Sequence, residues 1–92
     1  MIKSFKHKGL SRFFDNGSLK GIQTNHAPKL RLILGALNRA ESIKDLNIPS
    51  FRLHPLQGRG KNVYSAWVSG NWRVTFRFTD GEVEIVNYED YH

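Results

Sequence analysis

The chain has 92 residues, a formal net charge of +6 and no cysteine. This length predicts a single domain over residues 1–92, and the lack of cysteine excludes disulfides and thiolate metal sites. We expect a cytoplasmic protein with no membrane partner, because no apolar run approaches the roughly 20 residues that span a bilayer and no signal-peptide core follows the basic N-terminus. The positive charge favours a polyanionic partner such as RNA, DNA or an acidic protein.

Two helices are predicted in the first half of the chain, after a short edge strand at residues 2–5. Apolar residues at helical spacing from Leu10 to Phe14 predict the first helix, and Gly17 predicts its end. The second helix is predicted by an apolar stripe at positions i, i+3, i+4 and i+7, with Asn25 as its N-cap. The residues of this stripe are Leu30, Ile33, Leu34 and Leu37.

The second half of the chain predicts an antiparallel sheet. From Trp72 to Thr79, apolar and polar residues alternate, which is the period-two pattern of a strand with one apolar face. Two-residue hairpin signals at 70–71 and 80–81 flank this strand, and the second is the Asp-Gly pair of a type I′ turn. We therefore expect an α+β fold in which both N-terminal helices pack on one face of a small antiparallel sheet.

Tight hairpin loops also predict which residues face each other. With regular pairing on both sides of the central strand, Arg73 faces Tyr88 and Trp67 faces Val74. The apolar face of the sheet is then expected to cover the helical stripe. This face is predicted to carry Val63, Trp67, Val74, Phe76, Phe78, Val83 and Ile85.

The last six residues concentrate tyrosine, carboxylate and histidine side chains. If the last strand continues with regular alternation, Asp90 and His92 fall on the face of Arg73 and Tyr88, whereas Tyr91 falls on the opposite face. The segment is therefore predicted to approach an arginine on an exposed sheet face.

These residue types can cleave RNA without a metal. Two histidines, His54 and His92, can act as general base and general acid because the unperturbed imidazole pKa is about 6.5. Arginine can grip a phosphate, tyrosine can stack on a base, and RNA supplies its own 2′-OH nucleophile. Each residue alone is more typical of a solvated surface, and His7 and His26 are expected at the surface. No ligand spacing supports a metal site, and no cofactor is predicted.

Four segments resemble the HigB toxins of the RelE/ParE superfamily of bacterial toxin–antitoxin systems. They are MIKSFKHKGL (1–10), LHPL (53–56), NWRVTF (71–76) and NYEDYH (87–92), and the likeness spans the whole chain. The resemblance implies a RelE-like fold and ribosome-dependent cleavage of mRNA in the A site of the 70S ribosome. It also implies neutralisation by a helix-turn-helix antitoxin of the HigA type, and we expect the toxin alone to be monomeric.

The same resemblance implies the site residues. His54 matches the functional loop histidine, Arg73 matches the sheet arginine, and Asp90, Tyr91 and His92 match the functional C-terminal triplet. These five residues form the expected catalytic set.

RNA or ribosome binding is expected of four further residues, Arg59, Lys61, Arg77 and Tyr88. The run from Arg59 to Lys61 is either a solvated loop tip or a patch that faces phosphate. Gln57 departs from the family pattern, because some relatives have a lysine there. Either Arg59 or Lys61 compensates for that lysine, or catalysis is weaker.

The expected reaction is attack of the 2′-OH on the adjacent phosphate, leaving a 2′,3′-cyclic phosphate and a 5′-OH. His54 and His92 share the base and acid roles in either order. Two non-enzymatic alternatives stay open at this point: a ParE-like poison of DNA gyrase, and a basic RNA- or ribosome-binding module. Two histidines flanking an arginine favour the enzyme, because a binding module needs no proton-transfer groups.

Overall fold

A computed structural model of the protein describes residues 1–91. It contains two helices, α1 (Lys8–Asn16) and α2 (Ala27–Arg39), and four strands, β1 (His54–Pro55), β2 (Val63–Ser69), β3 (Trp72–Thr79) and β4 (Glu82–Asp90). The strands form one antiparallel sheet in the order β1-β2-β3-β4. Short 3₁₀ turns lie in the connections at Thr24–His26, Ile43–Leu46, Pro49–Phe51 and Gln57–Arg59. The prediction of an α+β fold with two helices and an antiparallel sheet is confirmed.

Both helices have identifiable ends. The backbone N–H of Leu10 donates to Nδ1 of His7 at 2.9 Å, which caps the start of α1. Gly17 ends α1 with a φ of 78°, and its N–H donates to the carbonyl of Phe13. The N-cap of α2 is His26, so the prediction of Asn25 at that position is wrong by one residue.

The N-terminal residues lie along the outer edge of β4. Ile2 forms an isolated parallel bridge with Val83, and Phe5 forms another with Val86. Backbone hydrogen bonds of 2.7 to 3.3 Å join the two segments. The expected edge strand at residues 2–5 is therefore reduced to two bridges, which still cover an edge that would otherwise be unpaired.

A single hydrophobic cluster joins the two helices to one face of the sheet. The α2 stripe is fully buried in it, with Leu30 and Ile33 at 0% exposure, as are Val74 and Val83 of the sheet. Residues of both helices and of the sheet therefore share one hydrophobic core. In the described part of the chain, no helix has the length and apolar character needed to cross a membrane.

A β-bulge in β4 changes the predicted register. Next to the turn, Arg77 faces Glu84 as expected, but two residues earlier on β3 Thr75 faces Asn87. One extra residue is therefore inserted in β4. Ile85 lies at this point with a φ of 55°, in the left-handed region that β-branched residues rarely adopt.

After the bulge, each side chain of β4 projects from the face of the sheet opposite to the predicted one. Arg73 faces Glu89, and Val74 faces Tyr88, so the predicted pairing of Arg73 with Tyr88 is wrong. Tyr88 belongs to the core face, because a shift of one residue moves every later side chain to the other side of the sheet. Ile85 itself is 44% exposed, so its predicted place on the apolar face is wrong as well.

A second irregularity between Trp67 and Ser69 shifts the pairing of β2 with β3. Trp67 faces Arg73 instead of Val74, and Val63 faces Arg77. Val63 and Trp67 therefore belong to the face that carries the arginines, and their predicted place on the apolar face is wrong.

The bulge predicts an unusual order of stability at position 85. We expect Ile85→Gly to be more stable than Ile85→Ala by about 1 kcal/mol, because glycine adopts a positive φ without the steric cost that alanine carries. Urea denaturation of the two variants measures the difference. In a regular strand glycine is the less stable of the two by about 0.5–1 kcal/mol, and that order would contradict the bulge.

Candidate active site

The face of β3 that carries Arg73, Thr75 and Arg77 is called the arginine face. Register places two neighbouring rows of residues on it, since directly paired residues project to the same side of a sheet. The first row contains Trp67, Arg73 and Glu89. The second contains His54, Ser65, Thr75 and Asn87. The rows bring the loop histidine and the sheet arginine, which the sequence predicted as catalytic, onto one surface.

Glu89 is the centre of a hydrogen-bond network on this face. Arg59 donates from Nη1 to Oε2 at 3.0 Å and approaches Oε1 through Nη2 at 2.9 Å, which is a two-point ion pair. Thr75 Oγ1 and Asn87 Nδ2 each donate to Oε2 at 3.0 Å. The hydrogen bond from Arg59, with smaller contributions from the other donors, lowers the pKa of Glu89 below its ordinary value.

Tyr91 lies beside two guanidinium groups. Cζ of Arg59 and Cζ of Arg73 are each 5.2 Å from the centroid of its ring. The N–H of Tyr91 donates to the carbonyl of Asn71 at 2.7 Å, which holds the residue against the start of β3. Regular alternation would turn Tyr91 away from Arg73, but the bulge at Ile85 reverses the alternation and brings the Tyr91 ring to the arginines.

Among the described residues, one hydrogen-bond donor of Arg73 is unused. Its Nε is buried and has no hydrogen-bond partner within residues 1–91. A buried polar group normally finds a partner, because leaving it unpaired costs about 1–3 kcal/mol. A phosphate oxygen would supply the missing acceptor.

The remaining predicted catalytic residues are placed differently. His54 is exposed on the edge strand β1 and faces Ser65 of β2. Asp90 is exposed and faces Trp72, so its predicted place on the face of Arg73 is wrong. His92 lies outside the described residues.

A cleft on the arginine face collects positive side chains. Arg59 and Arg77, both predicted to bind RNA or the ribosome, line it together with Lys6, which the sequence did not suggest. The other lining residues are Val63, Thr75, Phe76, Ile85, Asn87 and Glu89. Lys61 lies outside this cleft and lines a separate shallow groove beside Gln57.

Tyr88 is unavailable for RNA binding, so its prediction as an RNA- or ribosome-binding residue is wrong. It is 4% exposed, its hydroxyl is 2.6 Å from Nδ1 of His26, and its ring is 4.6 Å from that of Trp72. Burial is the main cause that raises the pKa of Tyr88. His26 is also 4% exposed, so the expectation of a surface residue is wrong for it too.

His7 also belongs to this interior cluster. Its ring makes an edge contact with Tyr88 at 5.5 Å between centroids, and burial lowers its pKa. Together with its hydrogen bond from Leu10, this contact contradicts the expectation that His7 is a free surface residue.

Glu89 and Lys6 were missed for different reasons. Regular alternation assigned Glu89 to the face opposite Arg73, and only recognition of the bulge would have corrected it. The signal was weak, because isoleucine is an unusual residue at the left-handed position of a bulge. Lys6 reaches the cleft because the N-terminal segment runs beside β4, a pairing that no local pattern reveals.

The geometry suits binding of an anion more than binding of a cation. Within residues 1–91, no group of three or more histidine or acidic side chains is close enough to hold a metal ion. Arg59 and Arg73 lie beside the ring of Tyr91, and Lys6 and Arg77 line the adjoining cleft. These positive charges complement the negative charge of a phosphodiester.

Comparison with known proteins places the chain among toxins. A family model described as the RelE-like toxin HigB of type II toxin–antitoxin systems matches residues 3–92. The chain is 44% identical over 92 residues to the curated protein "Endoribonuclease HigB" of Proteus vulgaris, and the match covers 100% of both chains.

Two solved structures are similar in fold. One is YafQ from Escherichia coli strain BL21(DE3), with a TM-score of 0.57 and 20% identity, covering 98% of this chain and 91% of that one. The other is the Escherichia coli DinJ–YafQ toxin–antitoxin complex, with a TM-score of 0.51 and 21% identity, covering 95% and 89%. At these identities the likeness concerns the fold alone.

The Glu89 network predicts a pH-dependent contribution to stability. Because the folded pKa of Glu89 is below its ordinary value of 4.5, the contribution is present above that value and is lost as the pH falls through the folded pKa. We expect Glu89→Gln to lower the free energy of unfolding by about 1 kcal/mol near pH 7, after discounting for partial exposure, and by little near pH 3. Urea denaturation across this range measures the difference.

A double-mutant cycle provides the control. Glu89→Gln, Arg59→Gln and the double variant are expected to show a coupling of about 1 kcal/mol near neutral pH. A stability difference between the wild type and Glu89→Gln that is the same at every pH would contradict the ion pair.

The buried hydroxyl of Tyr88 predicts a clear loss of stability on its removal. We expect Tyr88→Phe to lower the free energy of unfolding by about 1–3 kcal/mol, because His26 is left buried without its partner. Thermal or urea denaturation measures the change. The matched control is Tyr64→Phe. Tyr64 is half-buried and its hydroxyl makes no hydrogen bond within residues 1–91, so its loss is expected to change stability by less than about 0.5 kcal/mol. Equal effects of the two changes would rule out the His26 contact.

Proposed function

Because the chain belongs to the HigB-like toxins, the RelE-like toxins of type II toxin–antitoxin systems, we propose that it inhibits translation by cleaving mRNA in the ribosomal A site. The prediction of an endoribonuclease toxin agrees with the family and with the name of its 44% identical relative. Dependence on the ribosome and the chemical steps are our proposal. The observation that carries it is the contact of Arg73 and Arg59 with Tyr91, one row from His54.

Arg73 holds the scissile phosphate in this proposal. Its guanidinium lies at the tyrosine ring, and its buried Nε lacks an acceptor among the described residues. A guanidinium that forks onto phosphate oxygens stabilises the extra charge of the transition state. Tyr91 keeps that guanidinium in place and stacks on a base or stabilises charge.

The histidines move the protons. The 2′-OH attacks the adjacent phosphorus, one histidine accepts the 2′-OH proton, and the other gives a proton to the leaving 5′-oxygen. The products are a 2′,3′-cyclic phosphate and a 5′-OH. His54 and His92 share these roles, and Asp90 orients or tunes a histidine.

The remaining cations bind the RNA strand or the ribosome. Arg59 and Arg77 line the cleft on the arginine face, and Lys61 is exposed on the neighbouring groove. Because Arg59 lies at Tyr91, it is the better placed of the two candidates to replace the lysine that Gln57 lacks.

The proposed partner and cellular location follow from the family. A type II toxin has an antitoxin, and we propose that a helix-turn-helix protein of the HigA type neutralises this one. The structural neighbour YafQ is itself known in a toxin–antitoxin complex with DinJ. We place the toxin in the cytoplasm, where translating ribosomes supply mRNA, and expect it to be monomeric when free.

Cleavage assays test the proposal. Purified toxin should cleave mRNA on translating ribosomes at least about 100-fold faster than the same RNA alone, because the ribosome positions the strand for in-line attack. Arg73→Gln should slow ribosomal cleavage by about 10²–10³-fold and His54→Ala by about 10²–10⁴-fold. Primer extension locates the cuts, and the exposed Lys20→Gln is the matched control with an unchanged rate.

Other results would reject parts of the mechanism. A 2′-deoxy substitution at the cleaved nucleotide should block the reaction, and cleavage despite it would exclude attack by the 2′-OH. Equal rates on free and translating RNA would exclude ribosome dependence. Full activity of a variant that combines His54→Ala with His92→Ala would remove both histidines from the mechanism.

A further inference from the structure

A second cluster of cations lies at the other end of the Trp67–Arg73–Glu89 row. Extending the antiparallel register of β1 by two residues places Arg52 opposite Trp67. Its guanidinium carbon is in fact 4.0 Å from the centroid of the Trp67 ring, which is stacking distance. Arg52 is exposed and has a φ of 45°, in the left-handed region that costs a non-glycine residue of order 1–3 kcal/mol. The backbone therefore holds this arginine on the ring against its own preference.

Lys29 of α2 approaches the same ring. Its Nζ is 5.1 Å from the centroid of Trp67 and donates to the carbonyl of Ser50 at 2.8 Å. Burial lowers the pKa of Lys29, and repulsion by Arg52 lowers it further. Two like charges are thus gathered at one indole, which is unfavourable unless an anion joins them.

No carboxylate offsets this charge within the described chain. The ion pairs within residues 1–91 join Lys3 to Glu82 and Arg59 to Glu89. Lys29 and Arg52 are held by an aromatic ring and a carbonyl, contacts that order a cation without cancelling its charge. This cluster of Lys29, Arg52 and Trp67 is called the tryptophan patch.

We propose that the tryptophan patch binds a backbone phosphate of single-stranded RNA next to the cleaved bond. The inference rests on the proposed function, since it assumes an RNA strand on the arginine face. Arg52 is two residues before His54, and Trp67 directly faces Arg73, so a strand held at Arg73 and His54 continues over the patch. The patch suits a phosphate, which two cations can bind together. It does not suit a base, because Arg52 already stacks on the indole ring of Trp67.

Binding of an uncleavable oligonucleotide tests the patch. A 2′-O-methyl RNA of about 10 nucleotides, labelled at one end, is titrated at several salt concentrations and followed by fluorescence anisotropy. Lys29→Gln combined with Arg52→Gln should weaken binding about tenfold or more. It should also reduce the slope of log affinity against log salt by about 0.7 for each lost phosphate contact. Lys20→Gln, which removes one exposed charge elsewhere, should leave binding nearly unchanged.

The single variant Lys29→Gln is a control for misfolding of the double variant, because it leaves Arg52 and its strained backbone unchanged. Its slope of log affinity against log salt should fall by about half as much as that of the double variant. Unchanged oligonucleotide binding in the double variant would overturn the proposal, even if the wild type cleaves mRNA on ribosomes as proposed. So would a failure of the wild type to bind the oligonucleotide at low salt. If the double variant bound more weakly only to ribosomes without mRNA, or only to the antitoxin, the patch would belong to that partner. This result would also overturn the proposal.

A failure of the proposed function can be distinguished from a failure of the tryptophan-patch proposal. If the wild type bound the oligonucleotide through the patch but produced no cleavage on translating ribosomes, the patch would stand as an RNA site and the endonuclease mechanism would fall.

Discussion

The positive φ of Ile85 determines which side chains of β4 meet the arginines. With one residue inserted there, Glu89 and Tyr91 turn toward Arg73, and Tyr88 turns into the core. Without it, the strand would present Tyr88 to the arginines and bury a glutamate. A single strained residue therefore separates the polar network of the candidate site from the aromatic cluster that anchors the same strand.

Sequence patterns predicted the parts of this fold that depend on neighbouring residues. Helical spacing predicted both helices, and the turn at 80–81 predicted the correct pairing of Arg77 with Glu84 beside it. In β4 the errors begin at the bulge, because isoleucine carries no signal for a left-handed conformation. The burial of His26 was equally hidden, since its partner Tyr88 is 62 positions away along the chain. Pattern reasoning fails where a side chain depends on distant partners.

Aromatic rings let this protein order its cations without neutralising them. The chain has 14 lysines and arginines but 8 acidic residues, so there are fewer carboxylates than cations to pair with. Arg73 and Arg52 instead lie on the rings of Tyr91 and Trp67. A cation on a ring keeps most of its field, whereas one in an ion pair loses it. Within residues 1–91, Arg59 alone has both a ring and a carboxylate partner, so its charge is the most neutralised of these arginines.

The pairing of the N-terminal segment with β4 has a consequence for synthesis of the protein. Ile2 bridges Val83, and His26 contacts Tyr88, so the two ends of the chain must meet before the sheet edge is covered and the interior is closed. Contacts between such distant residues form late and slowly in folding. A nascent chain still threaded through its own ribosome cannot complete them until residues 83–91 have emerged. The arginine face, to which β4 contributes Asn87 and Glu89, is therefore assembled only after β4 has left the ribosome.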